Sequence, residues 1–307
     1  MGIAFVFLAR LRSCGVLPAG SKVLDIGSSN LYSASSQELA NFIADYKPEA
    51  AAEPGTAEFI RRLSDGSDYS PETGSANESF VGELLDFCGL DYTSFDIAAG
   101  YNTKILDLNR SHLPEQYRSA FDLVLNFGTT EHVMNQLNSF EIIHDATRVG
   151  GCMAHQLPVA GHTDHGYFLY TGRLFFDLAG YNGYEIVDLA YEDAVSKADL
   201  FQPVRSYASV FPRFVAQFAD RTPVQIPDRT LTVIYRKTRH APFKLCLETS
   251  TSVGEISDQV RRSYQDVSSL LISEQDAVAT EVSDLHNSTS WAVTAMRVVA
   301  STLRWSR

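Results

Sequence analysis

Three carboxylates stand where three short apolar stretches end: Asp25 in V-L-D-I-G, Asp96 in S-F-D-I and Asp107 in I-L-D-L. A carboxylate accepts hydrogen bonds at both oxygens, so one at the end of a second strand suits the paired hydroxyls of a ribose. One beyond a third strand can accept from an exocyclic amine such as that of adenine. Each alone says little; the ordered set points to a nucleoside-containing ligand. A second group lies in P-V-A-G-H-T-D-H-G-Y-F-L-Y-T. There His162 and His165 are candidate general bases, with Asp164 as an orienting partner. H-x-x-H with Asp164 is also half of a metal set, but it lacks a third clear ligand, and no metal is expected. Loop histidines that fix local structure or touch solvent are the plainer alternative. Tyr167, Phe168, Tyr170, Phe175 and Phe176 form an aromatic wall suited to a sugar or aromatic acceptor, with core packing the expected role of most of them.

The elements that must position these groups alternate. Val23, Leu24 and Ile26 make a short strand that stops at Gly27, where the backbone can approach a ligand closely. Ser28, Ser29 and Asn30 are expected to cap a helix over residues 31–46. The spacing predicts a helix over 80–88, strands over 90–96, 103–108 and 121–127, a helix over 136–148 stopping at Gly150–Gly151, and a strand over 152–157. The run F-D-L-V-L-N-F is nearly continuous in apolar residues, as a strand buried on both faces should be. Further strands are expected over 184–189 and 231–236. Strands alternating with helices at this spacing predict an α/β fold: a doubly wound, Rossmann-like, mostly parallel sheet with helices on both faces. Residues 1–245 make up this domain. Within it, 47–79, rich in Gly, Pro, Ser and Glu, is an insertion or lid with a short helix near 57–63. Residues 193–228 are a helical or irregular insertion, and 246–307 a helical C-terminal extension.

At 307 residues and a net charge of −12 the chain lacks the dominant basic face that a binder of nucleic-acid backbone needs. Cys14, Cys88, Cys152 and Cys246 are far apart with no metal spacing, which fits idle thiols in a reducing compartment. The apolar run 3–9 is too short to span a membrane and reads as a helix packed beside the first core strand. A cytoplasmic protein is expected.

Taken in order, V-L-D-I-G-S-S-N, S-F-D-I, I-L-D-L-N, F-D-L-V-L-N-F-G-T-T-E-H-V and R-V-G-G-C-M-A-H-Q-L-P resemble a class I S-adenosylmethionine-dependent methyltransferase over residues 23–158. The resemblance implies S-adenosylmethionine as cofactor. Asp25, Gly27 and Ser28 would shape the loop around its methionine part, and Asp96 would bind the ribose. Asp107 and the backbone of Leu108 would hold adenine. Asn126 and Gly128 would line the methyl-transfer site, and Glu131 and His132 occupy the family's common E-H pair. The chain departs from the pattern where Ser29 and Leu31 replace later loop glycines, and where the 47–79 insertion precedes the ribose carboxylate.

Methyl transfer to a small-molecule or glycan acceptor, at an oxygen, is the reading this supports. A catalytically inactive, methyltransferase-like interaction module is an alternative, kept open by the glycine-poor loop. An NAD-dependent oxidoreductase is disfavoured by the missing G-x-G-x-x-G, and a glycosyltransferase by the missing D-x-D. From Ser290 the tail carries Arg297, Arg304 and Arg307, no acidic residue, and Trp291 and Trp305. It suits an interfacial helix on an anionic membrane or a protein partner. Its S-T-S-W-x-x-T-A segment resembles tails of bacterial surface-polysaccharide glycosyltransferases and their companions, which tilts the acceptor towards sugars and the setting towards polysaccharide biosynthesis.

Overall fold

The computed structural model describes residues 2–68, 78–162, 165–200, 224–248 and 259. The first half runs β1 (Gly2–Ala4), α1 (Phe5–Ser13), β2 (Lys22–Ile26), β3 (Asn30–Tyr32), α2 (Ser36–Tyr46), α3 (Thr56–Gly66), α4 (Val81–Phe87), β4 (Asp91–Asp96) and β5 (Thr103–Ile105). Then come β6 (Phe121–Phe127), α5 (Gln136–Ala146), β7 (Thr147–Ala160), α6 (Gly172–Asn182), β8 (Tyr184–Leu200) and β9 (Val224–Lys237).

Alternation along the strands sets the layers. Val23, Leu123, Leu125, Phe127 and Ala154 join one core with residues of α1 to α4, such as Leu8, Leu39, Leu63 and Leu84. Leu24, Ile26, Phe95, Val124 and Met153 turn to the other face and pack on Phe140 and Ile143 of α5 and Phe175 and Leu178 of α6. Burying each such side chain contributes about 1.5–3 kcal/mol, so each face is held by many independent anchors. The seven-stranded sheet has the order β5-β4-β2-β6-β7-β9-β8. Its strands run parallel except β9, which is antiparallel to both neighbours. The doubly wound, mostly parallel sheet is therefore present. Its order reverses between β2 and β6, and such a reversal opens a crevice at the strands' carboxyl ends.

Several boundaries differ from the sequence reading, each for a local reason. Asn30–Tyr32 is not helical: it pairs in parallel with Gly2–Ala4, so a strand precedes α1 and the helix after β2 starts only at Ser36. Its cap is Ser35, not Ser28, Ser29 or Asn30: the Ser35 hydroxyl accepts from the Glu38 N–H while Glu38 accepts from the Ser35 N–H, a reciprocal capping box. The third strand ends at Ile105, not 108. Helix α5 stops at Ala146, and Gly150 and Gly151 lie inside β7, where the register against β6 shifts. A Cβ on Gly151 would stand 2.9 Å from the Phe121 carbonyl oxygen. The segment 193–228 is not a helical insertion at its described ends, because β8 runs on to Leu200 and β9 begins at Val224, pairing Leu200 with Val224.

In the 47–79 segment, the expected short helix is α3. Leu63 is fully buried, Arg62 pairs with Glu83 at 2.7 Å, and the Ser67 hydroxyl accepts from the Ala34 N–H. Residues 69–77 of the expected lid lie outside the described residues. The described residues up to Cys246 form one compact unit. The expected C-terminal helices and their membrane or partner contact lie outside the described residues apart from 246–248 and 259. Among the described residues no helix is long and apolar enough to cross a membrane.

Candidate active site

A cavity of about 400 Å³ opens at the switch point, lined by Gly27 after β2, Asp96 after β4, Asp107 and Leu108 beyond β5, and Thr129, His132 and His165 on the β6 side. The two carboxylates expected on a ribose and a base thus share one wall.

Asp96 is held ready. One of its oxygens accepts from the Ser28 N–H at 3.1 Å and the other from the Ala98 N–H at 3.0 Å. Each oxygen keeps a second lone-pair direction for a ligand. Asp107 accepts from the Asn109 N–H at 2.8 Å, which fixes the turn that presents the Leu108 backbone. Ser28 therefore works through Asp96 and through Tyr101, whose N–H donates to its hydroxyl at 3.0 Å.

Asp25 lies beneath the loop. Fully buried, it accepts from the Ser29 N–H and hydroxyl at 2.9 and 3.1 Å and from the Tyr92 hydroxyl at 2.8 Å. Burial pushes its pKa up to about 7, against those donors. These bonds give Ser29 its place in the loop. Ser29 ties the loop to Asp25 where a glycine would leave it loose, and Leu31 is a fully buried residue of β3.

Asn126 is wholly buried and pins the next turn rather than facing the cavity. Its amide donates to Thr130 Oγ1 and to His155 Nδ1, both at 3.0 Å, and its Oδ1 accepts from the Thr130 N–H. The Thr129 hydroxyl donates to the Ile26 carbonyl, stitching this turn to β2. Together they place the short 3-10 turn Thr130–His132, and with it Glu131 and His132, at the cavity's edge. Burial and the nearby His165 hold His132 below the usual imidazole range, with Glu131 opposing.

A second cavity of about 320 Å³, lined by Gly128, Glu131, Gln156, His162 and His165, shares His165 with the first. His162 sits in the left-handed region at φ 46°, held by its N–H donating to Asp228 at 2.6 Å. His165 Nε2 lies 3.5 Å from Glu131 Oε1, and its ring meets that of His132 edge-on at 4.7 Å. Asp164 lies outside the described residues. In the aromatic wall Phe175 and Tyr170 are core residues, whereas Tyr167 and Phe176 are exposed. Glu131 and Asp228 are the functional candidates that sequence reasoning left without a role at the histidines. They sit 34 and 66 residues from the histidines they contact, and no spacing rule links them.

The fold and site together define a Rossmann-like protein with a nucleoside-sized crevice and a histidine-bearing second cavity. No protein-family model and no curated protein sequence matches the chain. Among solved structures it resembles a protein of Bacillus halodurans provisionally assigned as a methyltransferase, at 10% identity and TM-score 0.45, covering 76% of this chain and 99% of that one. It also resembles a SAM-dependent methyltransferase of Archaeoglobus fulgidus, at 12% identity and TM-score 0.37, covering 75% and 93%. A third likeness is to the [4+2]-cyclase SpnF, at 12% identity and TM-score 0.36, covering 76% and 81%. One fold hosts unrelated reactions, so activity has to be read from the site.

Proposed function

We propose that the protein transfers a methyl group from S-adenosylmethionine to an oxygen of a small-molecule or glycan acceptor. The observation that carries this reading is the shared cavity wall of Asp96 and Asp107–Leu108 beside Gly27. Asp96 suits the ribose hydroxyls, Asp107 the adenine amine, and the end at Gly27, Thr129 and His165 the methionine part and its sulfonium. The acceptor enters the second cavity, so that its oxygen meets the methyl near His165. The oxygen lone pair forms the O–CH3 bond as the S–CH3 pair returns to sulfur, leaving a neutral thioether. The hydroxyl proton passes to a histidine. The reading places the enzyme in the cytoplasm, which its unpaired cysteines suit.

Calorimetric titration with S-adenosylmethionine and S-adenosylhomocysteine, and NAD as control, tests the cofactor. Binding of the first two alone supports the reading. Binding of none of them sinks it and favours the inactive interaction module. For the base, His162→Asn, which tolerates the left-handed backbone, should lower kcat about 100-fold or more with cofactor affinity unchanged. Wild-type turnover by both His162→Asn and His165→Ala would remove the histidines from proton transfer.

A further inference from the structure

The E-H turn and the H-x-x-H loop meet, although each falls short of a ligand set by itself. Gly166, at φ 75°, allows the loop to press against Glu131: a Cβ there would stand 2.8 Å from Glu131 Cγ and 3.0 Å from its carbonyl oxygen. The Tyr167 N–H then donates to that carbonyl at 2.7 Å. The close approach delivers His165 onto the Thr130–His132 turn. One ligand-type atom from each of Glu131, His132 and His165 lies within 4.8 Å of the other two. Glu131 is 1% exposed, and its Oε2 is buried without a hydrogen-bond partner. A buried carboxylate oxygen left unpaired is costly unless something positive meets it. His165 Nε2 lies 3.5 Å from the other oxygen, Oε1.

We propose that Glu131, His132 and His165 form a two-histidine, one-carboxylate site for a first-row divalent ion such as Zn2+, Mn2+ or Fe2+, open towards the two cavities. Two imidazoles select this class over Mg2+ or Ca2+, which prefer all-oxygen shells. Tetrahedral ligands bonded at about 2.1 Å stand about 3.4 Å apart, so atoms that lie within 4.8 Å must draw together by up to about 1.4 Å. The exposed side chains of His132 and His165 can supply that by rotation, while buried Glu131 stays as the fixed anchor. Three protein ligands leave positions for an exogenous oxygen. On the methyl-transfer reading that oxygen is the acceptor's: the ion lowers its pKa, and His162 in the second cavity takes the proton. The site itself stands without that reading.

The test is titration of untagged, chelator-stripped protein with Co2+, followed by visible d–d absorption, with S-adenosylhomocysteine binding measured in parallel. Wild type should take up one equivalent saturably. His165→Ala and His132→Ala, both at exposed side chains, should each weaken binding at least about tenfold. Glu131→Gln should do the same where circular dichroism shows it folded, and His240→Ala at a remote surface position should leave binding intact. Absence of saturable uptake by wild type would overturn the proposal, as would unchanged affinity in both histidine variants or an equal loss in His240→Ala. Cobalt uptake without S-adenosylhomocysteine binding would keep the metal site and sink the methyl-transfer reading; the reverse would do the opposite.

Discussion

Asp96→Ala is expected to reduce affinity for S-adenosylmethionine and S-adenosylhomocysteine by about 100-fold or more, with the fold retained. Hydrogen bonds to a charged acceptor contribute about 1.5–3 kcal/mol each, and two ribose hydroxyls would make two of them. Two bonds at the low end already give about 3 kcal/mol, a factor above 100. The substitution also frees the Ser28 and Ala98 N–H groups that the carboxylate now holds, loosening the loop after Gly27. Both effects reduce binding, and neither touches the buried layers, because Asp96 is only half-buried at the sheet's edge. Calorimetry with each ligand reads the effect, and thermal melting checks the fold. Asp107→Ala gives a graded comparison: it removes a single hydrogen bond to a carboxylate, about 1.5 kcal/mol at the low end or a factor near ten. Unchanged affinity in Asp96→Ala would show that the ribose is not bound there. A decrease of the same size in both variants would mean that the whole wall had collapsed.

How much of this was legible in the sequence follows from which forces act locally. The strands over Val23–Ile26 and Phe121–Phe127 were readable because hydrophobic runs bounded by a glycine or a polar turn leave few alternatives. The carboxylates at their ends followed from strand order alone. The start of α2 was not readable, because β1 and β3 pair across nearly 30 residues and pairing, not propensity, makes Asn30–Tyr32 a strand. Gly150 and Gly151 looked like a helix stop, yet the register shift against β6 uses them inside a strand. Asp25 and Asn126 both stand near strand ends, and the partners of each were not legible: Asp25 bonds Ser29 of the loop after β2, and Asn126 bonds Thr130 of the turn after β6. The Glu131–His165 approach depends on Gly166's left-handed backbone, which a sequence pattern does not disclose.

The other large effect is on stability in acid. His155 is buried among Phe140, Phe175 and Tyr235, with ring centroids at 5.7, 6.0 and 5.7 Å, and burial pushes its pKa down to about 3. Its Nδ1 accepts from Asn126, which requires the neutral ring. His144 is pushed down to about 4, first by burial, with its two nitrogens at 2.6 Å from the Tyr184 hydroxyl and 2.7 Å from the Ala241 carbonyl. Unfolded, both titrate near 6.5. Between about pH 4 and 6.5 the unfolded chain therefore binds more protons than the native one at these sites. Stability is lost there as pH falls, at up to about 1.4 kcal/mol per pH unit for each histidine. Asp25 opposes this: native at about 7 against an ordinary 3.8, it holds a proton that the unfolded chain releases, so its contribution falls as pH rises through that window. Two against one leaves a net loss of about 1.4 kcal/mol for each unit of acidification below pH 6. Urea unfolding at pH 7, 6 and 5 should show this slope. His155→Asn, which keeps an acceptor for Asn126 but cannot titrate, should flatten it by nearly that amount whatever its own stability at pH 7. A slope unaltered in His155→Asn would mean that His155 is protonated in the native core or that water reaches it, and the buried neutral imidazole would have to be abandoned.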